Sequence, residues 1–284
     1  MQFSAKSGKL YVVATPIGNK DDITLRALRV LGEVDFVAAE DTRHTGRFLA
    51  HHKIKNRLIS YHEYNEAERT PDLIKKLMDG SSIAVVSNAG TPSVSDPGYR
   101  LVKAAIDSDI MVIPIPGVSA TITALSAAGL PIDSFVFIGF PARKKGKRLK
   151  QLSGLANENK TIVFYESPRR ILNLIEEIIK IMGDRYGVLS REMTKLHEEF
   201  VRGNLSEILS NMQQRPDVKG ECTLLVAGRE GDEDVSMETI RSEIKKEFKV
   251  LERRPSDIAK EIAKKYKLPK SKIYKETLKI KESL

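Results

Sequence analysis

The stretch "VVSNAGTPSVSDPG", residues 85–98, joins the end of an apolar run to a series of small, polar, Gly and Pro residues. The apolar run Ile83–Val86 predicts a buried strand that the following residues cannot continue. Gly90 has no side chain and Thr91 offers a hydroxyl, while Asp96 and the proline after it predict the start of a helix. The loop is either a place where backbone groups approach a ligand or an elaborate turn.

Short apolar runs alternate with helical patterns on both sides of this loop. The runs "LYVVAT", "FVAAE" and "MVIPI" predict strands, whereas "ITLRALRVLG" and "GYRLVKAAID" have apolar residues at helical spacing. This alternation favours a largely parallel sheet covered by helices, and the strand "SFVFIGF" is expected to lead out of it. We predict an α/β fold with an N-terminal α/β domain at 1–141, a second at 142–230 and a C-terminal all-helical, helix-turn-helix-like domain at 237–284.

The composition sets limits on the class of protein. The 284 residues are 41% hydrophobic and 30% charged, and no run approaches the 18 apolar residues typical of a membrane span. The start of the chain shows no apolar signal segment, so we expect a cytoplasmic protein without a membrane partner. The single cysteine, Cys222, excludes an internal disulfide framework, and the five histidines lack metal-ligand spacing, so no metal site is expected.

The net charge of +9 is concentrated in two places. Residues 238–284 hold 15 Lys and Arg against 8 Asp and Glu, and residues 143–150 read "RKKGKRLK". Such runs are solvated surface in many proteins, but two of them together also suit a polyanionic partner.

Other loops that follow predicted strands carry candidate groups, because ligands of open α/β sheets bind beyond the carboxyl ends of the strands. They are "TPIGN", with Pro16; "PIPGVSA", where Ser119 is expected to cap a helix; "FYESPRR", where Ser167 is expected to cap one after Glu166; and "SREMTK". Each has a plainer interpretation as a turn, a cap or solvated charge. There is no GxGxxG after the first strand, so no common dinucleotide site is indicated.

Taken in order, "TPIGN", "AAEDTRHT", "SNAGTPSVSDPG", "PGVSATITALSAAGLP", "FYESPRR" and "SREMTK" resemble the motifs of the tetrapyrrole methylase superfamily over about residues 9–228. Within it, they are most similar to the bacterial members that 2′-O-methylate a cytidine ribose of 16S rRNA, and the basic tail is similar to the helical extension of some members. The usual form of the central loop is "SDAGTP", so Asn88 stands where the family has an acid.

The resemblance implies a homodimer that binds S-adenosylmethionine in a cleft between the two α/β domains. Cofactor contacts are then expected at Pro16, Ala89, Gly90, Thr91, Val94, Ser119, Ala120, Tyr165 and Thr223.

The implied acceptor is 16S rRNA in the 30S subunit. A ribose hydroxyl is a weak nucleophile, so a positioned carboxylate or amine would help to remove its proton, and the candidates are Glu166, Glu192, Asp41 and Lys195. RNA contacts are expected at Arg43, Arg143, Lys144, Lys145, Lys147, Arg148 and Arg191. Two alternatives stay open: C-methylation of an acidic tetrapyrrole, and a non-enzymatic regulator that senses a ligand and binds DNA.

Overall fold

The computed structural model of the chain contains two five-stranded sheets with helices packed on them, followed by three further helices. It describes residues 7–229, 237–250, 254–266 and 268–282. The chain divides into two compact units, Met1–Gly228 and Arg229–Leu284, and both sheets lie in the first unit. The predicted α/β class is therefore confirmed. The acidic segment 230–236 lies outside the described residues.

The first sheet is parallel throughout, as the alternating sequence pattern predicts. Its strands are β1 (Lys9–Val13), β2 (Phe36–Ala39), β3 (Leu58–Ser60), β4 (Ile83–Val86) and β5 (Met111–Ile115). The helices that follow them are α1 (Leu25–Glu33), α2 (Thr42–His51), α3 (Glu66–Met78), α4 (Tyr99–Asp107) and α5 (Ala120–Ala128). The strand order β3-β2-β4-β1-β5 places the ends of β4 and β5 on either side of the end of β1.

The second sheet is mixed. Its elements are β6 (Phe135–Gly139), α6 (Lys145–Gly154), β7 (Thr161–Glu166), α7 (Ile171–Met182), β8 (Tyr186–Arg191), β9 (Glu199–Asn204), α8 (Leu205–Gln213) and β10 (Cys222–Val226). The strand order is β6-β7-β10-β8-β9, in which only β6 and β7 pair in parallel. The strand "SFVFIGF", which we expected to complete the first domain, is β6 and belongs to this sheet. The passage between the two sheets therefore precedes Phe135 and lies upstream of the basic stretch.

Helix α5 connects the two sheets through a shared apolar cluster. Ala124, Leu125 and Ala128 of this helix are buried in one cluster with Val163 of β7 and Val188 of β8. The helix is apolar on most sides because it follows the first sheet in the chain yet packs against the second. The two halves of the first unit consequently share a core.

A buried arginine ties together chain ends around the second sheet. Arg185 is 9% exposed, and its guanidinium group donates to the carbonyl oxygens of Ala156 at 2.6 Å, Met182 at 3.1 Å, Glu158 at 3.2 Å and Ala227 at 3.4 Å. These carbonyls come from the ends of α7 and β10 and from the loop before β7. The planar fork of arginine suits such a cluster because its five N–H groups point in fixed directions.

The described part of the second unit contains three helices, α9 (Met237–Val250), α10 (Pro255–Lys265) and α11 (Lys270–Glu282), in agreement with the predicted all-helical domain. They pack through a small isoleucine-rich core that includes Ile244, Ile262 and Ile273. Helix α10 begins with Pro255 at its first position, where a proline costs no helical hydrogen bond. No helix within the described residues is long and apolar enough to cross a membrane.

Candidate active site

Backbone hydrogen bonds fasten together the loops that follow β1, β4 and β5. The N–H groups of Thr15 and Gly90 each donate to the carbonyl oxygen of the other residue, both at 2.9 Å. The Thr91 hydroxyl donates to the Val118 carbonyl at 3.1 Å. The three loops meet here because β4 and β5 both neighbour β1 and end at the same edge of the sheet.

The loop after β4 has an unusual backbone conformation. Gly90 has a φ of +75°, and Ser93, Ser95 and Gly98 also have positive φ values of 70°, 64° and 136°. At Gly90 the positive φ favours glycine. Space does not, since an added Cβ would make only ordinary contact with its neighbours. Helix α4 begins at Tyr99 with Gly98 before it. The expectation that Asp96 caps this helix was therefore wrong, because the reversals of the loop delay the start of the helix.

A first cavity of about 340 Å³ lies between the loops of the first sheet and the ends of β7 and β10. It is lined by all but one of the residues at which the family resemblance places cofactor contacts: Ala89, Gly90, Thr91, Val94, Ser119, Ala120, Tyr165 and Thr223. The exception is Pro16, which lines a second, adjoining cavity. The structure thus brings these predicted residues into one cleft.

Tyr165 joins the two sides of the first cavity. Its hydroxyl oxygen accepts from the Thr121 backbone N–H at 3.0 Å and lies 2.7 Å from the Thr121 hydroxyl. This contact satisfies the start of α5, whereas the Ser119 side chain makes no capping hydrogen bond and the expectation of a serine cap there was wrong. Burial raises the pKa of Tyr165, against the opposing effect of the Thr121 hydrogen bonds. The hydroxyl therefore remains a neutral donor and acceptor near pH 7.

Glu166 lines the first cavity but is already paired. It is 3% exposed, and its Oε1 accepts from the Ser167 backbone N–H at 2.7 Å and from Arg170 Nε at 2.8 Å. Helix α7 begins at Ile171 instead of directly after Ser167, because a turn closed by the Ser167 carbonyl precedes it. The carboxylate thus holds this turn and the arginine in place.

Asp96 is a residue of the first cavity that sequence reasoning assigned only to a helix cap. Burial and the negative charge of Glu40 raise the pKa of Asp96 to about 7, with the adjacent Ser87 hydroxyl opposing them. Within the described parts of the chain, it forms no ion pair. The sequence alone does not reveal that Asp96 lies in a cavity, because an aspartate followed by proline is also the usual pattern of a helix cap.

The second cavity, of about 490 Å³, adjoins the first and is lined by basic and aromatic groups. The two cavities share Ile17, Ala89 and Glu221 as lining residues. The second also has the cationic or polar side chains of Lys20, His44, Arg47 and Lys195 on its walls, beside the ring of Phe48. Apart from Lys195, sequence reasoning did not single out these residues, because they come from separate segments that only the folded chain brings to one cavity.

Lys195, a candidate base, is held between carboxylates. Its Nζ lies 2.8 Å from Glu192 Oε1 and 3.2 Å from Glu221 Oε2. Burial works against the charged form, but these two carboxylates together raise the pKa of Lys195. The hydrogen bond from Lys195 is also the main reason why the pKa of Glu192 is lowered. Glu192 itself lines neither cavity. An ammonium group with a raised pKa is a poor base, so this pair is better suited to binding than to proton removal.

Asp41, the remaining candidate base, caps helix α2. Its Oδ1 accepts from the backbone N–H groups of Arg43 at 2.8 Å and His44 at 3.2 Å, and these bonds lower its pKa. Asp41 lines neither cavity. Its role as the cap of helix α2 accounts for an aspartate at this position, so we do not retain Asp41 as a base.

The residues predicted to contact RNA fall into two groups. Arg43, Arg143, Lys144, Lys145 and Lys147 are exposed, four of them at the start of α6.

The other two arginines, Arg148 and Arg191, have partners within the fold. Arg148 pairs with Glu177 at 2.6 Å and donates to nearby carbonyls, and Arg191 pairs with Glu199 at 2.8 Å with only 11% of its side chain exposed. Because both guanidinium groups are half-buried and held in ion pairs within the fold, we do not retain Arg148 and Arg191 as RNA contacts.

Comparisons with known proteins match this architecture. The family model for Tetrapyrrole (Corrin/Porphyrin) Methylases matches residues 9–209. A relative from Streptococcus pyogenes serotype M1, called ribosomal RNA small subunit methyltransferase I, is 48% identical over 95% of this chain and 94% of its own length. A protein of the same name from Escherichia coli O157:H7 is 46% identical over 83% of each chain.

Solved structures with the same fold are more distant in sequence. The methyltransferase CobJ superimposes with a TM-score of 0.59 at 20% identity, covering 78% of this chain and 95% of its own. Uroporphyrin-III C-methyltransferase from Thermus thermophilus, in complex with S-adenosylhomocysteine, gives a TM-score of 0.54 at 20% identity and covers 78% and 98%. The family match, the similarity along nearly the whole chain and the shared fold agree: the chain belongs to the tetrapyrrole methylase family.

Proposed function

We propose that the chain is an S-adenosylmethionine-dependent methyltransferase that acts on the rRNA of the small ribosomal subunit. The observation that carries this proposal is the 48% identity, over 95% of the chain, to a relative named for that activity. The two adjoining cavities agree with it, because a methyl donor and a nucleotide acceptor must meet at one point.

The first cavity suits the methyl donor. Gly90 presents backbone without a side chain, Val94 and Phe140 offer apolar surface, and Thr91 and Thr223 provide polar groups. These residues would hold the adenosine and methionine parts of the donor. When bound, S-adenosylmethionine supplies an electrophilic methyl group on a positively charged sulfur. The chain's own task is then to align the acceptor oxygen with that methyl group and to exclude water.

The second cavity suits a ribonucleotide. Lys20 and Arg47 are exposed cations that can contact phosphates, and Phe48 offers a ring to a base that has left its stack. The two cavities adjoin at Ile17, Ala89 and Glu221, so the acceptor can reach the donor past the uncharged surface of Ile17 and Ala89. We propose that the acceptor is the 2′-hydroxyl of a cytidine, as the motif resemblance implies.

Further parts of the proposal concern the assembly and the place of action. We propose that the chain acts as a homodimer in the cytoplasm, on the 30S subunit. The exposed basic residues Arg143, Lys144, Lys145 and Lys147 and the lysines of α11 would then contact rRNA phosphates.

Transfer of labelled methyl from S-adenosylmethionine to 30S subunits tests the proposed function. We expect label in 16S rRNA on a single cytidine, and nuclease resistance of the adjacent bond because the 2′-oxygen is blocked. Label on a base or on protein would contradict the ribose assignment. Methylation of an added porphyrinogen would favour the tetrapyrrole alternative, and a preference for duplex DNA without any methyl transfer would favour a regulator.

Replacing Arg47 with alanine tests the nucleotide role of the second cavity. We expect affinity for 30S subunits to fall about fivefold, and the slope of log affinity against log salt to decrease by about one, because one phosphate contact is lost. Filter binding at several salt concentrations measures both quantities. Arg29→Ala removes the same charge from an exposed site that lines neither cavity, so it should leave the slope unchanged. Equal effects of the two substitutions would contradict the assignment.

A further inference from the structure

Three carboxylates line the first cavity, and two of them already have cationic partners. Glu166 pairs with Arg170 at 2.5 Å, and Glu221 pairs with Lys195 at 3.2 Å. Asp96 is the remaining one, and it forms no ion pair with any residue that the structure describes. A carboxylate already shared with a cation is a weak proton acceptor, whereas an unpaired one in a partly buried site is a stronger one.

The position of Asp96 relates it to both cavities. Asp96 lines the first cavity, while Ser87, the hydroxyl residue next to it, lines the second. The positive φ values at Ser93 and Ser95 turn the loop immediately before it. Such conformations cost free energy in residues other than glycine, and they persist where the surrounding structure requires them.

We propose that Asp96 accepts the proton of the ribose 2′-hydroxyl during methyl transfer, when that hydroxyl reaches from the second cavity into the first, an inference that rests on the function proposed above. As the O–H bond breaks, the bond between the 2′-oxygen and the methyl carbon forms and the methyl–sulfur bond breaks with its electron pair kept by sulfur. The proton ends on the Asp96 carboxyl group and passes to water when the products leave. The step needs no other reactant.

The surroundings of Asp96 suit this role near neutral pH. Glu40, at the end of β2, is the charged group that raises the pKa of Asp96 after burial, and the two together bring it to about 7. Tyr165, Glu166 and Glu221 line the same cavity, and the two glutamates are paired with Arg170 and Lys195. The Cys222 thiol there stays protonated, because burial raises its pKa to about 11. A base with a pKa near the working pH is close to optimal for proton transfer.

The first test compares Asp96→Asn with the wild type in single-turnover methyl transfer to 30S subunits. We expect a loss of about 100-fold or more at pH 8, with unchanged affinity for S-adenosylmethionine. The wild-type rate should rise tenfold per pH unit in the acidic range and level off once Asp96 is ionised, since the ionised form is the active one. A variant within about threefold of the wild-type rate, or one that loses activity only in proportion to cofactor affinity, would overturn the proposal.

Glu40→Gln tests whether the ionisation of Asp96 controls the rate. If Asp96 had a purely structural role, this substitution would leave the pH profile of methyl transfer unchanged. The glutamine keeps an oxygen that can accept from the Asn88 backbone N–H, which donates to Glu40 at 3.0 Å, but removes the negative charge. We expect the acidic limb of the pH profile to move about 0.5 unit lower, because ionisation of Asp96 becomes easier. An unmoved limb would assign it to another group and overturn the proposal.

Thermal unfolding of the protein without cofactor supplies an independent check. The folded-state pKa of Asp96 lies above its usual value of 3.8, so the folded state holds this proton more tightly than the unfolded chain. The stabilisation is complete below pH 4 and is lost as the pH rises through 7. Asp96→Asn should therefore lose less stability than the wild type between pH 5 and pH 8, and equal losses would overturn the proposal. Absence of methyl transfer by the wild type would instead overturn the proposed function itself.

Discussion

Replacing Gly90 with valine is expected to reduce affinity for S-adenosylmethionine at least about 100-fold. Gly90 has a φ of +75° and exchanges two backbone hydrogen bonds with Thr15. Valine disfavours that φ strongly, and its methyl groups must lie against Ile17 or in the cavity. The strain alone costs about 1–3 kcal/mol of folding free energy, which the first unit should tolerate. Isothermal titration calorimetry measures the affinity.

The matched control for this substitution is Gly183→Val. Gly183 has a similar φ of +88° and follows helix α7, where an added Cβ would contact nothing within 4 Å. It lines neither cavity. It should therefore lower the unfolding temperature, as Gly90→Val does, while leaving cofactor affinity unchanged. If both variants bind the cofactor equally well, the assignment of the cleft to the donor is wrong.

The largest expected effect on stability belongs to Arg185→Ala. The substitution leaves four buried or partly buried carbonyl oxygens without their shared donor and removes a packed side chain that is 9% exposed. We expect a loss of about 3–5 kcal/mol in the free energy of unfolding, and a fall of about 10 °C in unfolding temperature. Urea unfolding followed by circular dichroism measures the change.

Two further variants define the cause of that loss. Arg185→Lys keeps the charge, but an ammonium group cannot reach all four carbonyls in their fixed directions, so an intermediate loss is expected. Arg202→Ala removes an exposed arginine that also donates to two carbonyls, and it should cost less than about 1 kcal/mol because water can replace it. Equal losses at both positions would show that burial is not the reason.

The sequence pattern predicted the α/β alternation well, because strands buried on both faces are continuously apolar. Strand β4 is an example, since each of its residues is buried. The pattern missed β3, whose Leu58–Ser60 segment is short and only half-buried at the sheet edge. It also placed β6 in the wrong sheet, because local patterns do not reveal which neighbour a strand pairs with.

How well the sequence predicted the site differed between its small residues, its cations and its carboxylates. The small residues around Gly90 indicated either a ligand loop or an elaborate turn, and the cavity beside this loop now favours the ligand loop. The convergence of Lys20 and Arg47 was invisible, because exposed cations are common and only the folded chain brings these two to one wall. The candidate bases Glu166 and Glu192 were chosen as strand-end carboxylates, but their cationic partners could be identified only from three-dimensional contacts.

Helix α5 determines where the chain can be divided. It precedes β6 in the chain, yet Ala124, Leu125 and Ala128 are buried together with Val163 and Val188 of the second sheet. A fragment ending near residue 141 would carry this apolar helix without the surface that covers it, and the complementary fragment would expose that surface. Neither piece should be recovered as a soluble monomer, and co-expression of the two offers the better route to split versions of the enzyme.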